Sequence, residues 1–173
     1  MKDVQDSGLG IAPEAPGDAA EAMILVDRVF GPGRYAKAAE RLREGNRFIP
    51  ELSFVAREGD RLMGTVRLWP VRIGDRPALL LGPIAVDPEA RDRGLGAALV
   101  ERACDAARRG GHAVVVLVGD LAYFERLGFH APAGAVTLPG PADPRRVLVR
   151  GLAAGALDGL AGEVALPYAA TRA

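Results

Sequence analysis

Pro83-Ile84-Ala85-Val86-Asp87-Pro88-Glu89-Ala90-Arg91-Asp92-Arg93-Gly94-Leu95-Gly96-Ala97-Ala98-Leu99-Val100 decides how the rest of the chain is read. An apolar strand ends at Val86 and a turn follows at Asp87-Pro88. Two arginines, Arg91 and Arg93, then stand beside a Gly-x-Gly that opens an amphipathic helix. The first N–H groups of a helix have no intrahelical partner, and the helix dipole favours negative charge there. Glycines remove the Cβ atoms that would hold a phosphate away from those donors. The segment is therefore expected to hold a phosphate or pyrophosphate.

Outward from this loop, the pattern is a layered α+β domain. The helix runs from about Gly94 to Arg109, with Leu95, Leu99, Ala103 and Ala106 as its buried stripe, and Gly110-Gly111 stops it. Ala113 to Val118 is a short apolar strand. Strand, helix, strand in this order predicts a right-handed crossover and a parallel pair. Upstream, Leu52 to Arg57 and Leu62 to Val71 form a hairpin about Glu58-Gly59-Asp60, and Ala78 to Val86 follows as a central strand. Pro83 within that strand cannot donate to a ladder and marks a bulge or a break in pairing. Leu9 to Ala12 reads as a first strand, and a helix capped by Asp18 follows as far as Gly31-Pro32-Gly33. Tyr35 to Glu44 reads as a second, charged helix. Leu121 to Leu127 is a short helix ended by Gly128, and Val136 to Leu138 and Val147 to Val149 are strand-like. Residues 1–8 are expected to fray, and 9–173 to form one domain.

Composition narrows the function. Lys+Arg and Asp+Glu are both 22, so the formal net charge is zero, and aromatic residues make up 5%. Such a chain is a poor candidate for binding nucleic acid. Cys104 is the single cysteine, which fits a reducing cytoplasm. One Cys and two His, His112 and His130, argue against a structural zinc site. No apolar run approaches the roughly 18 residues of a membrane span, and Lys2 is not followed by a secretory apolar segment.

Read alone, Gly94-Leu95-Gly96 fits several phosphate loops. A Rossmann fingerprint needs a third glycine where Leu99 stands, and a tight turn where seven residues separate Val86 from Gly94. A Walker loop needs Gly-Lys-Ser/Thr, which is absent. Arg91-Asp92-Arg93-Gly94-Leu95-Gly96 resembles the Arg/Gln-x-x-Gly-x-Gly/Ala loop of the GCN5-related N-acetyltransferases at every defined position. Leu81 to Pro88 is similar to that family's fourth strand, and Tyr123-Phe124-Glu125-Arg126-Leu127-Gly128-Phe129 to its closing Tyr-x-x-x-Gly-Phe motif. Gly119-Asp120 and the tail Gly155 to Gly162 resemble the YhbS-like branch of predicted acetyltransferases. The resemblance spans roughly residues 8 to 168.

That resemblance implies a mixed, mainly antiparallel sheet with helices on both faces and a splayed fourth and fifth strand. CoA would lie in the opening, its pantetheine arm on the backbone of Ile84, Ala85 and Val86. Its pyrophosphate would rest on the N–H groups of Arg93, Gly94, Leu95, Gly96 and Ala97, with Arg91 and Arg93 adding charge. Asp92 would point away from the anion and cap a helix turn. The implied activity is direct acetyl transfer from acetyl-CoA to an amine of a small molecule or protein, without a metal. The resemblance further implies a backbone N–H polarising the thioester and a closing-motif tyrosine protonating the CoA thiolate. Here the chain departs from the motif, because Phe124 occupies the tyrosine position and the tyrosine is Tyr123, one place earlier. Adjacent helical positions differ by about 100° in direction. Tyr123 reaches the sulfur by a shifted turn, or water protonates the thiolate, or the chain is a CoA-binding module with a regulatory or interaction role. Phe124 covers the pantetheine in each case.

Other residues carry competing readings. Asp120 either caps the short helix or binds and deprotonates the amine. Cys104, His112 and His130 read as structural or surface residues, and Arg145-Arg146 as solvated. Trp69-Pro70 either lines an acceptor pocket or packs. The expected setting is a cytoplasmic enzyme acting on a free amine, away from nucleic acid and membrane, with a homodimer as one possible assembly.

Overall fold

A computed structural model describes residues 8–168. Apart from Gly8, the segment 1–8 expected to fray lies outside them. One sheet organises the fold, with strands in the order β1 (Leu9–Pro13), β2 (Phe54–Glu58), β3 (Arg61–Ile73), β4 (Arg76–Val86), β5 (Val114–Val118) and β7 (Val147–Gly151). Its neighbours are antiparallel except β4 and β5. A short β8 (Gly162–Ala165) adds to the far end of β3 and pairs in parallel with β6 (Val136–Thr137).

Strand alternation distributes the apolar side chains to two faces. Helix α3 (Leu95–Arg109) covers one face with Leu95, Leu99, Val100, Ala103, Cys104 and Ala107. It packs on Phe54, Ala56, Leu79, Leu81, Val115 and Leu117, the alternate positions of three strands. The buried stripe is therefore broader than its sequence spacing suggests, and Ala106 lies at its margin. On the other face, α1 (Ala19–Phe30) sets Ala22, Leu25 and Val26 against Val55, Leu62 and Ala85. Beside it, Ala38 and Leu42 pack with Trp69, Leu80 and Val116.

Two sequence expectations are corrected. The charged helix expected over Tyr35 to Glu44 is a 3-10 segment, Pro32–Ala36, followed by one turn, α2 (Ala38–Arg41). Lys37 is extended, with φ −78° and ψ 144°, and this breaks the two apart. A helix that short gains too little from its own hydrogen bonds. It is held instead by Arg34, whose guanidinium donates to Glu40 at 2.6 Å and to Asp27 at 2.8 Å. Asp18 does precede α1, yet its carboxylate makes no cap bond to that helix. It accepts from the Ala15 N–H at 2.9 Å and from Arg57 at 2.8 Å. Strand β8 has no counterpart in the sequence reading.

The expectation for Pro83 holds. The β3–β4 register slips between Val66↔Ile84 and Leu68↔Leu81, placing Gly82 and Pro83 in a bulge. The indole N–H of Trp69 donates to the Gly82 carbonyl at 2.6 Å and fixes that bulge. Trp69 is buried, with Phe48 at its edge, so it packs and positions backbone.

The turn after β4 is pinned by Asp87, whose side chain is 2% exposed. It accepts from the Glu89 N–H at 2.9 Å, from Arg61 at 3.1 Å and from Arg28. These contacts, the Glu89 N–H foremost, hold its carboxyl below the ordinary value of 3.8. A carboxylate depressed on folding stabilises the fold above its unfolded value, and the contribution disappears as pH falls through the folded value. Asp87→Asn keeps the volume and loses the charge, so it should lower stability by about 1 kcal/mol at neutral pH. The deficit against the parent protein, read by denaturant unfolding, should vanish on acidification below 3.8. A deficit unchanged across that range would assign the loss to packing.

Candidate functional site

Strands β4 and β5 pair only at Leu79↔Val115 and Leu80↔Val116. Beyond these they part, β4 through the Gly82-Pro83 bulge and β5 toward Gly119. The opening is the mouth of a cavity of about 270 Å³. Gly82, Pro83 and Ile84 line one wall, and Leu117, Val118 and Phe124 the other.

The polarity of the β4 edge follows from one hydrogen bond. The Asp87 N–H donates to the Met63 carbonyl at 2.8 Å, so the peptide groups of Asp87 face β3. Alternation then turns those of Ala85 to β3 as well, opposite Thr65. The groups of Ile84 and Val86 face the opening. Of the three residues expected to pair with a pantetheine arm, Ile84 and Val86 present free edges, whereas Ala85 is committed to the ladder and buried.

At the end of this edge comes the glycine loop. Asp92 at φ 66° and Gly94 at φ 74° are both left-handed, and α3 starts at Leu95 without a side-chain cap. Successive N–H groups in such a turn converge on a common point and make an anion-binding concavity. Asp92 is exposed and turned into that left-handed conformation. Arg91 is exposed, and Arg93 donates to Glu58 at 3.2 Å, half-buried beside the β2–β3 turn. Gly96 and Ala97 are partly accessible, and Leu95 turns its side chain into the core.

The closing motif divides its two aromatic residues. Helix α4 (Leu121–Phe124) begins after Asp120 and ends in a 3-10 turn at Gly128, whose φ is 81°. The Phe124 ring lies so close over Gly119 that a Cβ there would meet it at 2.4 Å. Phe124 packs edge-on against Phe129 and lines the cavity. Tyr123 points elsewhere. Its hydroxyl stands over Gly96, 2.8 Å from where a Cβ would be. Burial pushes the Tyr123 phenol above its ordinary value of 10.0, so it remains a donor at neutral pH. Asp120 is exposed, and its side chain makes no cap bond. Its backbone carbonyl accepts from the N–H groups of Tyr123 and Phe124.

The floor of the cavity is cationic. Glu40 Oε1 receives Arg34 at 2.6 Å and Arg43 at 3.2 Å, and all three side chains are largely buried. Lys37 and Arg146 lie at the rim with Asp143. Arg145 grips Asp143 at 3.0 Å and holds its carboxyl below the usual carboxylate range, which makes it a weak base. The sequence did not mark Arg34 or Arg43, because surface arginines in a charged segment read as solvated. Of the pair Arg145-Arg146, read as solvated, both are exposed, and Arg146 also borders the cavity.

The remaining candidates lie outside the opening. Cys104 is fully buried on the sheet-facing side of α3, and desolvation raises its thiol to about 11. His112 lies beside Gly110, and exposed His130 bridges Val149 through its backbone. Among the described residues no group of three or more His, Cys, Asp or Glu is placed to hold a metal. No helix of the described residues is long and apolar enough to cross a membrane.

Comparison with known proteins agrees with this geometry. Residues 21–129 match the acetyltransferase (GNAT) family model. The chain is 34% identical over 125 residues to the uncharacterized N-acetyltransferase YhbS of Escherichia coli K12, covering 71% of this chain and 74% of that one. It is 29% identical over 128 residues to the uncharacterized N-acetyltransferase YjhQ of the same strain, covering 72% and 71%. The crystal structure of Escherichia coli YhbS in complex with CoA superposes with a TM-score of 0.77 at 31% identity, over 90% of this chain and 88% of that one. A GNAT family acetyltransferase from Brucella melitensis in complex with acetyl-CoA gives 0.69 at 28% identity, over 95% and 97%. A splayed parallel pair leading into a glycine loop, on a chain so matched, places this protein in the acetyltransferase (GNAT) family, the acetyl-CoA-dependent N-acetyltransferases.

Proposed function

We propose that acetyl-CoA lies along the β4 edge, with its pyrophosphate on the loop from Arg93 to Ala97 and its acetyl group in the cavity beside the bulge. The observation that carries this is the alignment of two outward-facing peptide edges, at Ile84 and Val86, with the helix terminus at Gly94. The arm adds to β4 as an extra strand would. Arg91 supplies charge to the phosphates, and Phe124 covers the arm. Tyr123, with its hydroxyl over Gly96, donates to the phosphate end of the cosubstrate.

In the reaction the neutral amine nitrogen attacks the thioester carbonyl, the nitrogen gives up a proton to water, the C–S bond breaks, and the CoA thiolate leaves. An edge N–H of β4 stabilises the oxyanion, a contribution of about 3 kcal/mol where such donors have been removed. The attacking amine must be neutral. A cluster of cations around it disfavours the ammonium form and releases its proton to water. Water entering at the mouth protonates the thiolate, since the cavity wall carries Phe124 where the acid would stand. An acid role for Tyr123 remains the competing assignment. Asp120, exposed and outside the cavity wall, acts through its backbone on α4. The cosubstrate is a cytoplasmic metabolite, and the protein is assigned to that compartment.

Calorimetric titration with acetyl-CoA, CoA and NAD tests this reading. Micromolar binding of acetyl-CoA and CoA with none of NAD is the expected result. Binding of NAD in competition with CoA would mean a generic nucleotide site. Intact CoA binding with no transfer to any amine would leave a CoA-binding module, the alternative that Phe124 at the tyrosine position allows.

A further inference from the structure

One end of the cavity is built around an arginine with unspent hydrogen-bonding capacity. Arg43 donates through Nη1 to Glu40 at 3.2 Å. Its Nε is buried and has no hydrogen-bond partner. Its Nη2 reaches the bulge, 2.7 Å from where a Cβ on Gly82 would lie. Glycine at this position therefore admits the guanidinium to the point where β4 leaves the ladder. Nε and Nη2 form the side edge of the guanidinium, the fork that meets both oxygens of a carboxylate. A buried donor without a partner costs free energy comparable to a lost hydrogen bond, and a ligand oxygen that meets Nη2 and draws the guanidinium edge outward to open Nε recovers it.

The surroundings share the sign. Arg34, Lys37, Arg43 and Arg146 border the cavity, and Asp143 is the one acidic residue among its lining. Glu40 behind them is shared between two guanidiniums. A polyamine or a lysine-rich peptide would bring like charge to this wall. An amine that carries its own carboxylate would complement it.

Resting on the acetyl-CoA reading above, we propose that the acceptor is a small primary amine bearing a carboxylate, an amino acid or a close analogue. The carboxylate sits on the Nε and Nη2 edge of Arg43, and the amine faces the acetyl group beside Gly82. The cavity, of about 270 Å³, has room for a group of that size.

The test measures CoA release with matched pairs at saturating acetyl-CoA. The pairs are glycine, L-glutamate and L-phenylalanine against their methyl esters, with spermidine and O-phosphoethanolamine added. Esterification removes the neighbouring negative charge and so raises the fraction of neutral amine. Chemistry alone thus favours the esters. The expected result is a higher kcat/KM for at least one acid than for its ester and for spermidine. Arg43→Gln should raise KM for that acid at least fivefold, with acetyl-CoA affinity unchanged by calorimetry. Faster transfer to the esters or to spermidine, or to none of the acids, overturns the proposal while acetyl-CoA binding stands. Preference for O-phosphoethanolamine over every carboxylate overturns it in favour of a phosphate site. Failure of acetyl-CoA to bind the parent protein overturns the cosubstrate reading itself. Arg146→Ala, at an exposed rim position, gives a second variant if Arg43→Gln does not fold, and should raise the same KM in the same direction.

Discussion

Gly96→Glu should weaken acetyl-CoA binding by at least about 100-fold, or about 3 kcal/mol, as read by calorimetry. Two effects act together. The carboxylate would stand in the first turn of α3, where the free N–H groups are to receive the pyrophosphate, and would repel it. The new Cβ would also begin 2.8 Å from the Tyr123 hydroxyl and 3.7 Å from Val86, so it crowds that hydroxyl at the phosphate end. Gly96→Ala separates these effects. It adds the Cβ without charge, and the atom in its way is the far end of a tyrosine that can yield, so its loss should be well below that of glutamate. Circular dichroism of both variants should match the parent, because Gly96 has an ordinary helical backbone and an acidic residue suits a helix N-terminus. Unchanged affinity in Gly96→Glu would remove the loop as the phosphate site.

The loop was legible in the sequence because its function is local. A helix terminus offers its N–H groups through residues contiguous in the chain, and backbone sterics favour glycine in a left-handed turn. The Pro83 bulge was legible for the same reason, since a missing N–H in a central strand has few structural outcomes. The cationic cavity was not legible. Arg34, Arg43 and Arg146 come from separate segments, and only the tertiary fold brings them to one wall. The breakdown of the expected helix over Tyr35 to Glu44 belongs with this, because ion pairs to Asp27 and Glu40 set the path of that segment. Strand β8 was missed because Gly162-Glu163-Val164-Ala165 is too short to show alternation. It exists by docking on β3, where Gly162 lies so close to Gly74 that a Cβ would sit 2.7 Å from the Gly74 backbone.

Tyr123→Phe should separate the two assignments left by the shifted closing motif. The hydroxyl stands at Gly96 and not in the cavity, which Phe124 lines. A donor there meets the cosubstrate in the ground state and the transition state alike, and its loss appears in KM. The expected result is a rise of about tenfold in KM for acetyl-CoA, near 1.4 kcal/mol, with kcat within about twofold. An acid acting on the departing thiolate would give the opposite split, with kcat reduced at least tenfold and KM unchanged. The pH profile supplies an independent readout. Burial raises the Tyr123 phenol above 10.0, so its protonated form persists beyond that pH. If the hydroxyl binds phosphate, ionisation at still higher pH places a phenolate against an anion. KM for acetyl-CoA then climbs in the parent protein and stays flat in Tyr123→Phe. If it protonates sulfur, the same limb appears in kcat. The direction of the side chain favours the first outcome, because the α4 turn that buries Phe124 over Gly119 aims the preceding residue at the loop.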